Sequence, residues 1–249
     1  MKNNTQMNDS WNSYDKTVGA TGHYYHQHLI LPKALELLAL RKTNLSLLDL
    51  GCGQGVLARH LPEKVNYVGI DASASLIRAA RKYSKHKFIT ADVSEPLKLE
   101  KKDFTHVTLI LALQNIKDPL PVLINAANHL KQGGKLLIVL NHPCFRIPRQ
   151  SSWGIDESKK TQYRRIDRYF TPLEISIQMR PSQNDAATET RSYHHPLSSY
   201  CLWLKEAGFC IEVMEEWCSD KKSTGKMAAM ENRARQEFPL FLTLLARKN

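Results

Sequence analysis

The sequence of 249 residues contains no long apolar run. Every apolar stretch is much shorter than the roughly 18 residues that a membrane-spanning helix needs. Residues 1–28 are polar without an apolar core, which is not typical of a secretory signal. The five cysteines are few, odd in number and scattered, and no two form a C-x-x-C pair. These absences argue against a disulfide framework and a zinc site, and they predict a cytoplasmic protein with reduced thiols.

Acidic residues are outnumbered, with 24 Asp and Glu against 35 Lys and Arg, which gives a formal net charge of +11. Such a charge favours anionic partners, namely nucleic acid, anionic lipid surfaces or anionic small molecules. The basic residues are spread along the chain without one long block. We therefore expect a solvated basic surface rather than a dedicated nucleic-acid groove.

Short apolar segments alternate with amphipathic ones through the first 141 residues. Strands are predicted at 46–50, 66–70, 87–90, 105–113 and 135–141, and helices at 29–40, 56–61, 75–84 and 119–130. Gly133 and Gly134 are expected to interrupt the chain before the fifth strand. Wholly apolar strands alternating with helices predict an α/β fold, with a parallel sheet covered by helices on both faces.

The alternation stops at Asn141, and the sequence becomes richer in polar, proline and aromatic residues. Segments 164–170, 173–179 and 188–194 could form strands of an inserted lobe. A helix at 196–209, a strand at 210–217, a polar and mobile stretch at 218–234 and a strand at 238–248 are predicted to follow. The expected organisation is a lid segment (1–28), a cofactor-binding core (29–141), a substrate lobe (142–196) and a completion of the core (197–249).

Three glycines at alternate positions mark the end of the first predicted strand, in the stretch DLGCGQG (49–55). Glycine allows positive φ and lets a ligand approach the backbone closely. The loop lacks the lysine and spacing of a phosphate-binding P-loop, and Val56 stands where the third glycine of a dinucleotide fingerprint would fall. Asp49, two residues ahead of Gly51, suits a ligand with an amine or a positive charge.

Two further acidic residues follow the second and third predicted strands. Asp71 lies 20 residues after Gly51, where a carboxylate can accept hydrogen bonds from both ribose hydroxyls. Asp92 follows the third strand, where it can accept a hydrogen bond from an exocyclic adenine amine. Amine, ribose and adenine are the parts of S-adenosylmethionine.

Taken together, these motifs resemble the class I S-adenosylmethionine-dependent methyltransferases. The stretches that carry the resemblance are DLGCGQG (49–55), VGID (68–71), ITADV (89–93), LILALQNI (109–116) and LKQGGKLLIVLN (130–141). The resemblance implies a Rossmann-like, seven-stranded, mostly parallel sheet whose last strand is antiparallel and inserted beside its predecessor. The alternative is an α/β domain whose glycines serve only a turn.

The resemblance also implies which residues contact S-adenosylmethionine and its product S-adenosyl-L-homocysteine. Gly51, Gly53 and Gln54 would surround the amino acid part, Asp71 the ribose, Asp92 and Val93 the adenine, and Leu111 and Gln114 the methyl group, with Asp49, Cys52 and Ala72 completing the loops. Tyr24, Tyr25 and His28 look like a segment that covers the cofactor. Alternatively, these three residues only cap and pack the entry to the first helix.

Candidates for contacting the methyl acceptor follow Asn141. His142, His194 and His195 are candidate bases because the pKa of histidine lies near neutral. Arg146, Arg149 and Trp153 are candidates for binding an acceptor with an anionic group. The alternatives are hydrogen-bonded structural histidines and an exposed hairpin with alternating charges.

The sequence thus predicts a metal-independent methyltransferase that acts on a small molecule at oxygen, nitrogen or carbon, by in-line displacement. Two alternatives remain open: an RNA methyltransferase that uses the basic surface, and a non-catalytic protein that binds an adenosyl ligand.

Overall fold

The computed structural model of the protein describes residues 23–40, 45–62, 64–178 and 189–249. Strands are β1 (Ser46–Leu50), β2 (Asn66–Asp71), β3 (Lys87–Thr90), β4 (Phe104–Ile110), β5 (Leu130–Asn141), β6 (Ser151–Asp156), β7 (Thr161–Ile166), β8 (Leu173–Gln178), β9 (Glu189–His194), β10 (Phe209–Trp217) and β11 (Phe241–Lys248). The α-helices are α1 (Leu31–Leu38), α2 (Ala74–Tyr83), α3 (Pro119–His129), α4 (Leu197–Glu206) and α5 (Ala228–Glu237).

Seven strands form the main sheet, in the order β10-β11-β5-β4-β1-β2-β3. Neighbouring strands from β5 to β3 pair in parallel, whereas β11 is antiparallel to both β5 and β10. The predicted fold is therefore confirmed, including the antiparallel last strand beside its predecessor. Because β11 runs backwards, its first residue lies at the edge of the sheet where the parallel strands end.

Both faces of the sheet are covered by helices. Successive side chains of a strand point to opposite faces, so Leu47 and Leu48 of β1 enter different cores. The Leu47 core contains residues of α1 and α2, and the Leu48 core contains residues of α3 and α4. With helices on both faces, all five residues of β1 are buried, including the polar Ser46 and Asp49.

Three predicted elements differ from the structure by more than a few residues at their ends. Residues 56–61 form turns and a short 3-10 helix (Ala58–His60) rather than the start of an α-helix, because Leu61 precedes a proline and is extended. Strand β5 begins at Leu130, and Gly133 lies within an irregularity of its pairing with β4 rather than before the strand. The stretch predicted to be mobile, 218–234, ends inside α5.

The segment after β5 forms two antiparallel hairpins, β6–β7 and β8–β9. Strand β6 was not predicted, and β7 ends at Ile166 instead of continuing to residue 170. Residues 179 and 188, which bound the other two predicted strands, lie outside the described residues. Strand β9 contacts the turn Leu113–Asn115 that follows β4, so the second hairpin lies over the edge where the parallel strands end.

Candidate functional site

A cavity of about 570 Å³ lies at the carboxyl ends of the parallel strands. In open α/β sheets this edge is where ligands bind, and the volume falls within the range of small-molecule sites. One end of the cavity is formed by loops that follow β1, β2 and β3. The other end is formed by the segment before α1, the ends of β5 and β11, and the second hairpin.

The glycine loop forms the wall after β1. Gly51, Gly53 and Gly55 have φ of +73°, +55° and +72°, values at which a side chain is strained. Gly51 N–H donates to Ile70 O at 2.8 Å, and Gly53 N–H donates to Asp71 Oδ2 at 2.9 Å. A Cβ on Gly53 would meet no atom within 4 Å, so a ligand can approach this backbone. A Cβ on Gly51 would lie 2.4 Å from Ala112 Cβ.

Asp49 is a buried carboxylate in the cavity wall. Tyr67 Oη and Thr108 Oγ1 each donate to one of its oxygens at 2.7 Å. Burial raises the pKa of Asp49 to about 6, although these two hydrogen bonds act in the opposite direction. No lysine, arginine or histidine of the described ranges forms a salt bridge with it. A buried carboxylate without a cation fits a ligand that carries an ammonium or sulfonium group.

Asp71 and Asp92 follow β2 and β3 in the same wall. Asp71 Oδ1 accepts a hydrogen bond from Ser73 N–H at 2.9 Å, and burial raises the pKa of its carboxyl. Asp92 is exposed, and its Oδ1 accepts from Ser94 N–H at 2.8 Å. Each oxygen retains acceptor capacity, so a diol and an amine can be bound here.

Leu111 has an unusual backbone conformation at the end of β4, with φ of +52°. Its carbonyl accepts from Gln114 Nε2 at 3.0 Å and Asn115 Nδ2 at 3.3 Å. The Oε1 of Gln114 is buried and has no partner within the described residues. The left-handed backbone conformation of Leu111 is strained, and the two side-chain amides stabilise it. Strained turns of this kind are found at ligand sites.

The segment before α1 contributes His23, Tyr25 and His26 to the cavity wall. Tyr24 and His28, which were predicted to contact the cofactor, do not line the cavity; they are exposed and stack on each other at 4.4 Å between ring centroids. The reason is helical spacing, since positions 23 and 26 share one face and positions 24 and 28 share another.

The two histidines of this wall differ in the hydrogen bonding of Nδ1. His23 Nδ1 accepts from Tyr25 N–H at 3.2 Å, so the neutral ring carries its proton on Nε2. His26 Nδ1 is buried without a partner in the described part of the chain. Burial lowers the pKa of His26 to about 3, with a further contribution from His23. Both rings are therefore neutral at pH 7 in the absence of ligand.

None of the three predicted bases lines the cavity. His142 is buried, with Nε2 at 2.7 Å from Glu216 Oε1 and Nδ1 accepting from Cys144 N–H. His194 Nε2 donates to Tyr169 O at 2.7 Å, and His195 packs edge-on against Trp203. These contacts are structural, and this placement argues against all three residues as the base.

Of the three predicted acceptor-binding residues, only Arg146 lines the cavity. Arg149 is exposed. Trp153 packs in a T-shaped contact with Phe238 at 5.3 Å, and the Arg164 guanidinium lies over its ring. Arg149 and Trp153 do not line the cavity because the chain leaves it after Arg146 and enters the first hairpin.

Twelve of the fourteen predicted cofactor residues line the one cavity: Tyr25, Asp49, Gly51, Cys52, Gly53, Gln54, Asp71, Ala72, Asp92, Val93, Leu111 and Gln114. Lining residues that sequence reasoning missed include His23, His26, Asn141, Ile177, Thr190, Tyr193 and Phe241. The i, i+3 spacing of His23 and His26 could have predicted that both lie on one face of the segment. No sequence pattern could have predicted that Phe241 lines the cavity, because its position depends on the antiparallel direction of β11.

Metal binding has no support within the described ranges, where no group of three or more His, Cys, Asp or Glu side chains could hold an ion.

Comparison with known proteins agrees with this geometry. A family model described as a methyltransferase domain matches residues 22–212. The ubiquinone biosynthesis O-methyltransferase of Coxiella burnetii is 31% identical over 116 residues, which are 44% of this chain and 50% of that protein. The protein of the same name from Xanthomonas axonopodis pv. citri is 29% identical over 119 residues, 45% of this chain and 50% of that protein. The chain thus spans about half the length of the curated relatives it matches.

Among solved structures, the S-adenosylmethionine-dependent methyltransferase from Mesorhizobium loti superposes with a TM-score of 0.70 at 24% identity. The match covers 92% of this chain and 100% of that one, and it shows a shared fold. The family match extends over more than half of the chain and includes every strand that borders the cofactor end of the cavity. The chain therefore belongs to the methyltransferase-domain family, and its fold is that of the class I S-adenosylmethionine-dependent methyltransferases.

Proposed function

We propose that the protein transfers the methyl group of S-adenosylmethionine to a small-molecule acceptor. The observation that carries the proposal is the buried Asp49, which has no cationic partner among the described residues and lies beside an open glycine backbone in a cavity that also contains Asp71 and Asp92. The residues fit the cofactor, with Asp49 at the ammonium end, Asp71 at the ribose and Asp92 at the adenine.

Most of the chain's own residues in the cavity bind and orient the cofactor and the acceptor, and a base is needed only to take the acceptor's proton. When bound, the cofactor would supply a methyl group on a sulfonium, whose carbon–sulfur electron pair would pass to sulfur as a lone pair of the acceptor bonds to the methyl carbon. Holding the acceptor atom in line with that bond accounts for much of the rate. The left-handed turn at Leu111 and Gln114 lies at the end of β4, between the two ends of the cavity, and would position the reacting groups.

Asp71→Ala is expected to weaken cofactor binding by at least about 100-fold, because two charge-assisted hydrogen bonds to the ribose are lost, each contributing about 1.5–3 kcal/mol. The measurement is titration calorimetry with S-adenosylmethionine and S-adenosyl-L-homocysteine. Asp103→Ala is the matched control, since Asp103 lies before β4 at the opposite edge of the sheet and is exposed. Wild-type protein that binds neither compound would refute the proposed cofactor.

His26 replaces the three earlier candidates as the group that takes the acceptor's proton. A hydroxyl becomes a strongly acidic oxonium as its lone pair bonds to the methyl group, so a ring whose pKa is about 3 can still accept that proton. The ammonium formed from an amine is a far weaker acid and would instead release its proton to water. His26→Gln is expected to lower turnover about 100-fold and leave cofactor affinity within twofold. His28→Gln, an exposed change in the same segment, is the control. Equal turnover in both variants would show that the proton leaves directly to water.

One assay distinguishes a small-molecule methyltransferase from an RNA methyltransferase and from a non-catalytic binding protein. Labelled cofactor is incubated with fractionated cell extract, and the fraction that gains label is identified. Label in a small-molecule fraction supports the proposal. Label that is lost on ribonuclease treatment, with binding that weakens steeply between roughly 50 and 200 mM salt, supports the RNA alternative. Cofactor binding without any labelled fraction supports the non-catalytic alternative.

We also infer a cytoplasmic location and retain the proposed organisation of the chain. All five cysteines are free, as expected in a reducing compartment. No helix of the described residues is long and apolar enough to cross a bilayer.

The described residues between 142 and 196 form two hairpins outside the main sheet, which supports the assignment of this segment as a substrate lobe. Most of the lid segment, 1–22, lies outside the described residues.

A further inference from the structure

Among the described residues, Arg146 is a cation without a carboxylate partner, and it lies at the end of the cavity far from the glycine loop. Its Nη1 donates to Asn141 Oδ1 at 2.7 Å and to Leu240 O at 3.5 Å. Its guanidinium lies over the Phe241 ring, 5.4 Å from the centroid. Within the described ranges no Asp or Glu pairs with it. The neutral contacts orient the guanidinium but leave its charge uncompensated, which is costly for a partly buried group.

The groups around Arg146 add positive charge rather than cancel it. The charges of Arg146 and Lys221 both act to lower the pKa of His23, after burial as the largest cause. Lys221 Nζ lies over the Tyr25 ring at 5.0 Å. Burial is the main cause that lowers the pKa of Arg146, and the positive charge of Arg164 lowers it further. The neutral His23 ring carries its proton on Nε2 and is also a hydrogen-bond donor. This end of the cavity is therefore suited to an anion.

The strand order decides which anion this is. Asp49 lies on β1, whereas Arg146 follows β5 and packs on the first residue of β11. Between β1 and β11 there are three strand spacings, or about 14 Å. The carboxylate of the cofactor is attached to the same carbon as its ammonium group. If Asp49 binds the ammonium, that carboxylate lies beside β1, whereas the guanidinium lies two to three strands away, between the ends of β5 and β11, so we assign the anion to the acceptor.

We propose that Arg146 binds a carboxylate of the methyl acceptor, so that the substrate class is organic acids that carry a hydroxyl or amino group. This inference rests on the proposed methyl transfer. The reacting hydroxyl or amine would lie at the end of β4, near Leu111 and Gln114, where the Oε1 of Gln114 is buried without a partner among the described residues. From β4 to β5 or β11 is one or two strand spacings, about 5–10 Å, which matches the length of a substituted benzoic acid.

The test uses benzoate and its neutral counterpart benzamide as probes, titrated into protein saturated with S-adenosyl-L-homocysteine. Benzoate is expected to bind at least tenfold more tightly than benzamide. Arg146→Gln should abolish this preference, Arg146→Lys should retain part of it because the charge remains, and Arg165→Gln should leave it unchanged. Arg165 is the matched control because it is exposed and pairs with Asp167 in the first hairpin. Melting temperatures of the variants report whether each remains folded.

Three results would overturn the inference. One is equal affinity for benzoate and benzamide in the wild-type protein, including the absence of binding by both. Another is a preference that survives in a folded Arg146→Gln variant. The third is a tenfold loss of S-adenosyl-L-homocysteine affinity in that variant with unchanged affinity for 5′-methylthioadenosine, which would assign Arg146 to the cofactor's carboxylate. Failure of the wild-type protein to bind S-adenosyl-L-homocysteine would instead refute the proposed function itself.

Discussion

Gly51→Ala is expected to lower the free energy of unfolding by about 2–4 kcal/mol and to weaken cofactor binding by about 100-fold or more. The left-handed φ of +73° costs an alanine about 1 kcal/mol. In addition, the new Cβ would lie 2.4 Å from Ala112 Cβ, far inside contact distance, and overpacking of this kind costs about 1–3 kcal/mol. The loop must move, and Gly53 N–H would lose its bond to Asp71. Chemical denaturation and calorimetry measure the two effects.

Gly133→Ala is the matched control for this change. Gly133 has a similar φ of +68°, but a Cβ there would meet no atom within 4 Å, so only the cost of about 1 kcal/mol is expected. The double variant Gly51→Ala with Ala112→Gly removes the clash and should recover part of both losses. Equal destabilisation by the two single changes would show that contact with Ala112 does not constrain the loop.

Cofactor affinity is expected to fall about tenfold between pH 7 and pH 5, because Asp49 must be ionised to bind a cationic ligand. Its pKa in the free protein is raised to about 6. Because this pKa lies above 3.8, the ordinary pKa of Asp, protonation of Asp49 stabilises the free protein. The stabilisation is fully present below pH 3.8 and is lost as the pH rises through 6. A bound ammonium or sulfonium reverses the preference, so binding releases a proton at low pH. Affinity therefore increases as pH rises and levels off above about pH 7.

Calorimetry across this pH range, with S-adenosylmethionine in two buffers of different ionisation enthalpy, measures both the affinity and the proton release. Asp49→Asn should bind about tenfold or more weakly at pH 7 and show a flatter profile. The pKa of Asp71 is also raised by burial, so a smaller dependence in the same direction should remain in that variant. A wild-type affinity that is constant from pH 5 to pH 7 would contradict a cationic group at Asp49.

The cofactor end of the cavity could be predicted from the sequence because its residues follow strands that are close along the chain. Once β1, β2 and β3 are recognised, parallel pairing brings Asp49, Asp71 and Asp92 to one edge of the sheet without further information. The parallel sheet covered by helices followed from the same alternation, whereas the seven strands and the antiparallel last strand were implied by the resemblance to known methyltransferases. The wrong predictions of the fold concern local structure. The six residues before Pro62 do not form an α-helix, and β5 includes the two glycines that were expected to precede it.

The acceptor end could not be predicted in the same way because it depends on how loops leave the sheet. His142 and Arg146 are four residues apart, yet one is buried beside Glu216 and the other lines the cavity. Spacing alone does not distinguish these outcomes, since both residues follow the same strand. Burial against β10 and β11 makes the difference, and those strands lie more than 60 residues further along the chain.

The reversed direction of β11 has a consequence for folding. The cofactor end is assembled from residues 49–114, whereas the acceptor wall requires Tyr25 to pack on Phe241, at 5.7 Å between ring centroids. Contacts of such large sequence separation carry a higher loop-closure cost and tend to form late. On the ribosome, the parallel strands can pair before residues 241–248 emerge, but the acceptor wall cannot close. The protein is therefore expected to acquire its affinity for the methyl donor before its selectivity for the molecule to be methylated.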